Sequence, residues 1–182
     1  MRAAMMNAST ILAALLTLAP RPSAHPLPGW SETLEQHRAR MASIAADVAA
    51  VARTNTEAAI LLGIAHHESG YAPDTDEGAH CYRGPGFKMR CDGGRAVSVW
   101  QMQDGDADRR EALRTSRRAA ATEALRRALG SVHACRGRGP ALALYASGSC
   151  ARGHRAAREL DASVRRALRA IDAAGRATIA GS

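Results

Sequence analysis

The stretch TNTEAAILLGIAHHESG, residues 54–70, sets the centre of any fold this chain can adopt. Thr54 and Glu57 have the T-x-x-E spacing of a capping box, in which two side chains satisfy the orphan backbone donors at a helix start. Gly70 suits the left-handed position that closes a helix. Between them Ile60, Leu61, Leu62 and Ile64 are apolar on several sides, so this helix has little face to give to water and must be enclosed by the rest of the chain. Glu68 stands in its last turn, where the partial negative charge of the helix end disfavours a carboxylate.

The flanking segments supply that enclosure. After a Pro-rich lead-in, HPLPGW (25–30), with Ser31 as candidate N-cap, apolar residues recur at helical spacing through Leu34, Met41, Ile44, Val48 and Val51. From Asp106 to about His133 the pattern is helical again through Leu113, Leu125, Leu129 and Val132, with a break expected near Ser116. Pro140 suits a first helical position ahead of a short apolar helix ending near Gly148. A last helix over about 154–174 turns Leu160, Val164, Leu168 and Ile171 inward, and residues 176–182 are expected to fray. Residues 71–97 differ. They hold five glycines, two prolines and two cysteines, and read as a long loop with a short hairpin in it. The expected fold class is therefore mainly α, one domain with a long loop after its central helix. At 182 residues the chain can bury a sizeable core.

Residues 1–24 have the pattern of an export leader. Arg2 precedes the apolar run ILAALLTLA (11–19) and small residues follow, with Ala24 as the expected cleavage point. The run is too short to span a bilayer, so no stable membrane insertion is expected. The location expected is secreted or periplasmic. An even cysteine count in an exported chain suggests two disulfides. Of three possible pairings, the sequence-local Cys81–Cys91 and Cys135–Cys150 close short loops and are the ones expected. No CxxC or His-x₃-His spacing supports a metal, and no cofactor is expected. The formal charge is +8, carried almost wholly by arginine, which would draw the protein to anionic surfaces such as cell wall or phospholipid head groups. Aromatic residues are only 3% of the chain, so a stacking platform for nucleic acid is absent and nucleic acid is not an expected partner. The arginines between Arg109 and Arg138 read mainly as a solvated helix face.

Glu68 is the leading candidate for chemistry. A buried helix, a carboxylate at its C-terminal end and a loop above it would together favour the protonated acid that a general acid needs near neutral pH. The alternative is an ordinary exposed glutamate. His66 and His67 are adjacent, point about 100° apart on a helix and cannot both face one site.

Here the residues resemble a known family. AHHESGYAP (65–73) resembles the E-S-x-(F/Y)-x-P signature of soluble lytic transglycosylases and their lysozyme-like relatives. In the same order follow SVWQMQ (98–103), similar to the G-L-M-Q segment with Gln101 at the glutamine, and ALALYASG (141–148), similar to A-x-A-A-Y-N-A-G with Tyr145 at the tyrosine. ASVRRALRAI (162–171) resembles the family's closing helix. The likeness covers roughly residues 45–172. Departures are Ser98 for the usual glycine, Trp100 for methionine, Ala146 for asparagine, and Ser163 near a frequent tyrosine. The interval from Glu68 to Gln101 is longer than usual.

The resemblance implies a lysozyme-like helical domain over 25–175, acting on peptidoglycan glycan strands between N-acetylmuramic acid and N-acetylglucosamine. Glu68 would be the one catalytic acid. Gln101, Tyr145, Ser98 and Trp100 would serve the substrate, Tyr145 by hydrogen bonding Glu68 and Trp100 either by stacking on a sugar or as core. The product would be a 1,6-anhydro end. A lysozyme-type hydrolase needs a second carboxylate, for which Asp74, Asp76, Glu77 and Asp92 are the candidates. A catalytically inactive glycan-binding module and a helical protein with no glycan role are the remaining alternatives. A cell-envelope secretion or conjugation machine is a conceivable partner of such an enzyme.

Overall fold

The structure, a computed structural model, describes residues 7–22, 31–77 and 95–180. It is mainly helical. In chain order the elements are α1 (Ala8–Leu18), α2 (Leu34–Val51), α3 (Asn55–Glu68), α4 (Pro73–Glu77), β1 (Ala96–Val97), β2 (Met102–Gln103), α5 (Ala107–Thr115), α6 (Arg117–Ala134), α7 (Ala143–Ser147) and α8 (His154–Ala180).

The central helix is α3. Thr54 Oγ1 accepts from the Glu57 backbone N–H at 3.1 Å, and Glu57 accepts from Arg53 N–H at 2.6 Å. Every residue from Ala58 to Ala65 is buried. Its closest neighbour is α8, and Gly63 makes that approach possible. A Cβ at 63 would lie 2.5 Å from Val164 Cα, a backbone atom with nowhere to move. Helices α2, α6 and α8 bring Met41, Ile44, Val48, Ala124, Leu160 and Ile171 into the same core.

Helix α2 starts later than its sequence pattern suggests. Thr33, not Ser31, is the N-cap, because Thr33 and Gln36 have the spacing to cap each other, at 2.8 and 3.1 Å. The expected break at Ser116 is present. Ser116 ends α5 and caps α6, accepting from Ala119 N–H at 3.2 Å. Pro140 does not open α7, which begins three residues later after a turn in which Ala143 N–H bonds the Pro140 carbonyl. Helix α8 runs 27 residues to Ala180 instead of fraying at 176, its last turns being rich in alanine, the strongest helix former.

The apolar run expected to act as a leader is helix α1, with Ile11, Ala14 and Leu15 fully buried against α2 and α8. The Ala19 carbonyl lies 2.9 Å from His37 Nε2 on α2. This run thus contributes to the core of the chain as it stands. No helix among the described residues is long and apolar enough to cross a membrane.

Candidate active site

Glu68 is the last residue of α3, and the backbone reverses immediately after it. Gly70 and Tyr71 both hold left-handed φ values, 58° each. For tyrosine that conformation is strained and needs to be held from outside. Three contacts hold it. The buried Tyr71 hydroxyl donates to the Leu62 carbonyl at 2.7 Å, its N–H donates to Ser69 Oγ at 3.1 Å, and Arg40 donates to its carbonyl at 2.7 Å. Burial pushes the Tyr71 hydroxyl pKa far up, so it stays a donor.

The segment expected as loop then forms the short helix α4, pinned by Asp76. The Arg117 guanidinium straddles the Asp76 carboxylate at 3.0 and 2.7 Å and reaches Ser43 Oγ at 2.7 Å, joining α4, α6 and α2. Asp74 is fully buried. Two of the four acids considered as a second catalytic carboxylate are therefore built into the scaffold. Asp92 and the Glu77 side chain lie outside the described residues, as do Cys81 and Cys91.

The SVWQ sequence, 98–101, is the tip of a hairpin whose strands pair Ala96 with Gln103 and Val97 with Met102. Ser98 and Gln101 take left-handed φ values of 63° and 48°. Position 98 is where the resembled family has glycine, the residue that adopts this conformation without steric cost. Ser98 is 1% exposed and is not among the residues lining the cleft described below. Its backbone carbonyl instead accepts from Gln101 Nε2 at 2.9 Å, which orients the Gln101 amide. Trp100 is 1% exposed and donates its indole N–H to the Leu61 carbonyl at 2.9 Å. It forms cleft floor and core together, and its ring offers no open face for a sugar to stack on.

Tyr145 comes from α7, which sits between the two halves of the Cys135–Cys150 disulfide, a link of 15 residues between cysteines whose Cα atoms are 5.2 Å apart. Buried Ser131 on α6 fixes the other side, accepting from Tyr145 N–H at 3.0 Å and donating to the Ala141 carbonyl at 2.9 Å. Gly148, at φ 70°, closes the helix. The Tyr145 hydroxyl is directed at Met102 Sδ, 3.9 Å away, and not in the Glu68 hydrogen bond anticipated from the sequence. Burial first, and then the nearby Glu68 charge, raise its pKa, so it too remains protonated.

These elements enclose a cleft of about 600 Å³ lined by Glu68, Trp100, Gln101, Met102 and Tyr145, with Arg126 and Arg127 of α6 along one wall. That volume is in the range of small-ligand sites. Glu68 is exposed and stands at the end of α3 as expected, while most of the loop expected above it, 78–94, lies outside the described residues. Glu68 is the one carboxylate among the described residues lining the cleft. Neither His66 nor His67 lines it. His66 is turned edge-on to Tyr71, with ring centres 6.2 Å apart, and burial followed by the Arg166 and His67 charges lowers its pKa.

Arg126 and Arg127, read from sequence as part of a solvated helix face, are the cleft residues that escaped sequence reasoning. Both clasp Glu123, Arg126 at 2.7 and 2.6 Å and Arg127 at 2.7 Å. The i, i+3 and i+4 spacing of one acid ahead of two arginines was the available signal. Placing the pair at a cleft needed the tertiary fold.

No family model matches this chain, and neither a curated protein nor a solved structure matches it.

Proposed function

We propose that this protein is a lytic transglycosylase of lysozyme-like fold that cleaves peptidoglycan strands with Glu68 as its one catalytic acid. The observation that carries the reading is convergence. Glu68, Gln101 and Tyr145 come from three separate segments resembling the same family, and all three line one cleft. Nothing in composition or helical periodicity requires that meeting.

In the proposed reaction a glycan strand lies in the cleft and displaces water from around Glu68. Loss of solvent disfavours the carboxylate, and the C-terminal end of α3 acts in the same direction. The Glu68 carboxyl protonates the glycosidic oxygen as the bond to C1 breaks and an oxocarbenium-like centre develops. The 6-hydroxyl of the same muramic acid residue attacks C1, and Glu68, now ionised, takes its proton. The products are a free 4-hydroxyl on the leaving glucosamine and a 1,6-anhydro muramic end, with no water consumed. One carboxylate suffices. The engagement of Asp76 with Arg117 and the burial of Asp74 favour this route over hydrolysis, which calls for a second carboxylate at the cleft.

The test is digestion of purified peptidoglycan by the wild type and by Glu68→Gln. The variant is expected to fold as the wild type does, since residue 68 is exposed, and to release no fragments. Wild-type turnover in it would end the proposal.

A further inference from the structure

The outer face of α8 carries a row of one residue type. At 3.6 residues per turn, Arg158, Arg165, Arg169 and Arg176 fall within about 20° of one line along the helix, over about 27 Å. All four are exposed. The buried side chains Leu160, Ala167 and Ile171 lie within about 40° of the opposite direction, so the row points away from the core. The acids of α8 do not cancel it. Glu159 is about 100° round the helix and takes Arg155 at 3.0 Å. Asp172 accepts from Asn55 of α3 at 3.3 Å. Asp161 is half-buried, and it feels the Arg165 charge without pairing with it. Among the described residues none of the four arginines has an ion pair or a side-chain hydrogen bond. The arginines of α5 and α6 are the contrast: Arg109, Arg114, Arg117, Arg118, Arg126 and Arg127 are each paired with a carboxylate of the protein. No member of the α8 row lines the cleft.

We propose that the arginine row of α8 is a docking edge for a bilayer surface rich in anionic phospholipid, along which the protein lies without inserting. A straight ridge brings all four guanidiniums to a plane of phosphates at once, and each planar fork matches phosphate oxygens. Successive members are about 6–10 Å apart, close to one Debye length at physiological salt, so each engages the head groups beneath it with little help or hindrance from the next. Unpaired and already facing outward, the row gives up no contact within the protein when it docks. Its side chains carry fixed charge, and no helix among the described residues is long and apolar enough to cross a membrane, which keeps the contact peripheral. Single-stranded nucleic acid is bound in grooves that offer aromatic rings for stacking, whereas α8 presents a ridge without Phe, Tyr or Trp. The inference does not depend on the glycan reading of the cleft.

The test is co-sedimentation of the full chain with vesicles of phosphatidylcholine alone and of an equal mixture of phosphatidylcholine and phosphatidylglycerol. The wild type is expected to bind the mixture and not the neutral vesicles, with affinity falling as salt is raised. A guanidinium near an anionic bilayer is worth roughly a fivefold gain in affinity. The fourfold variant Arg158→Gln, Arg165→Gln, Arg169→Gln, Arg176→Gln should therefore bind at least about a hundredfold more weakly at low salt. A control that removes the same charge elsewhere, Arg38→Gln, Arg109→Gln, Arg118→Gln, Arg138→Gln, should stay within about threefold of the wild type. Thermal melts check that both fold. If the fourfold variant does not, Arg165→Gln with Arg169→Gln should still weaken binding about twentyfold. Equal losses in the row and control variants would reduce the effect to net charge and end the proposal. A wild type bound no better to anionic than to neutral vesicles would end it too, as would tighter binding to duplex DNA through the same four arginines. Cleavage of soluble glycan fragments by the row variant should match the wild type, so a failed docking edge and a failed glycan reading are told apart.

Discussion

Trp100 donates its indole N–H to the Leu61 carbonyl across 39 residues of sequence, at 2.9 Å, and one residue further along the same helix the Tyr71 hydroxyl donates to the Leu62 carbonyl at 2.7 Å. Two buried aromatic donors from different loops thus end on consecutive carbonyls of α3. They tie the turn after Glu68 and the hairpin carrying Gln101 to one rigid element, so the candidate acid and the candidate amide share a frame.

Trp100→Phe should separate that hydrogen bond from packing. The Leu61 carbonyl keeps its helix partner, so the loss is one net hydrogen bond of about 1 kcal/mol. Trp100→Ala removes the packing as well and should cost about 3–5 kcal/mol. Urea denaturation followed by circular dichroism reads both. Equal losses for the two variants would mean the ring is not packed as described.

Ser98 holds φ 63° while its Oγ accepts from Trp100 N–H at a long 3.3 Å. Ser98→Gly relieves strain of about 1–2 kcal/mol, set against a weak hydrogen bond and about 0.5–1 kcal/mol of added chain entropy. The net change should lie within about 1 kcal/mol, with cleavage retained. Ser98→Val, β-branched in a left-handed conformation, should be at least about 2 kcal/mol less stable than the glycine variant. Equal stability of the two would contradict the backbone geometry at 98.

Glu123 links the cleft wall to acid stability. Its hydrogen bonds with Arg126 first, and then with Arg127, outweigh its partial burial and lower its pKa from 4.5 to about 2. A carboxylate whose folded pKa is depressed contributes stability that is fully present above its unfolded value. That contribution is lost as pH falls through the folded one. The window is therefore pH 4.5 down to about 2. Glu123→Gln should flatten stability within it, so the loss is largest above pH 4.5, pH 7 included, where solvent screening holds it to the size of a surface-pair effect that salt weakens further, and the two proteins should converge as pH falls to about 2. An unchanged acid limb in the variant would show that the two arginines are not seated on Glu123.

What the sequence conveyed and what it withheld divide along one line. Local chemistry was legible: the Thr54 cap, the stop at Gly70 and the break at Ser116 are each set within a turn of the chain, and each is found, although Glu57 returns its carboxylate to the Arg53 N–H and not to that of Thr54. The pairing of Cys135 with Cys150 followed from loop length. Non-local chemistry was not. Whether Trp100 stacked on a sugar or filled the core depended on a carbonyl 39 residues away. Arg126 looked like any solvated arginine because its spacing to Glu123 is that of an ordinary surface pair. The run 11–19 was legible as apolar, whereas its seat as α1 against α2 and α8 depended on residues far along the chain.

The most direct test of the central claim is the mass of the fragments released from purified peptidoglycan. If Glu68 alone serves as acid and then base, the muropeptides carry 1,6-anhydro ends, each lighter by one water than a reducing end, and Glu68→Gln releases none. Reducing ends from the wild type would contradict the single-carboxylate account, and fragments released by Glu68→Gln would remove Glu68 from it altogether.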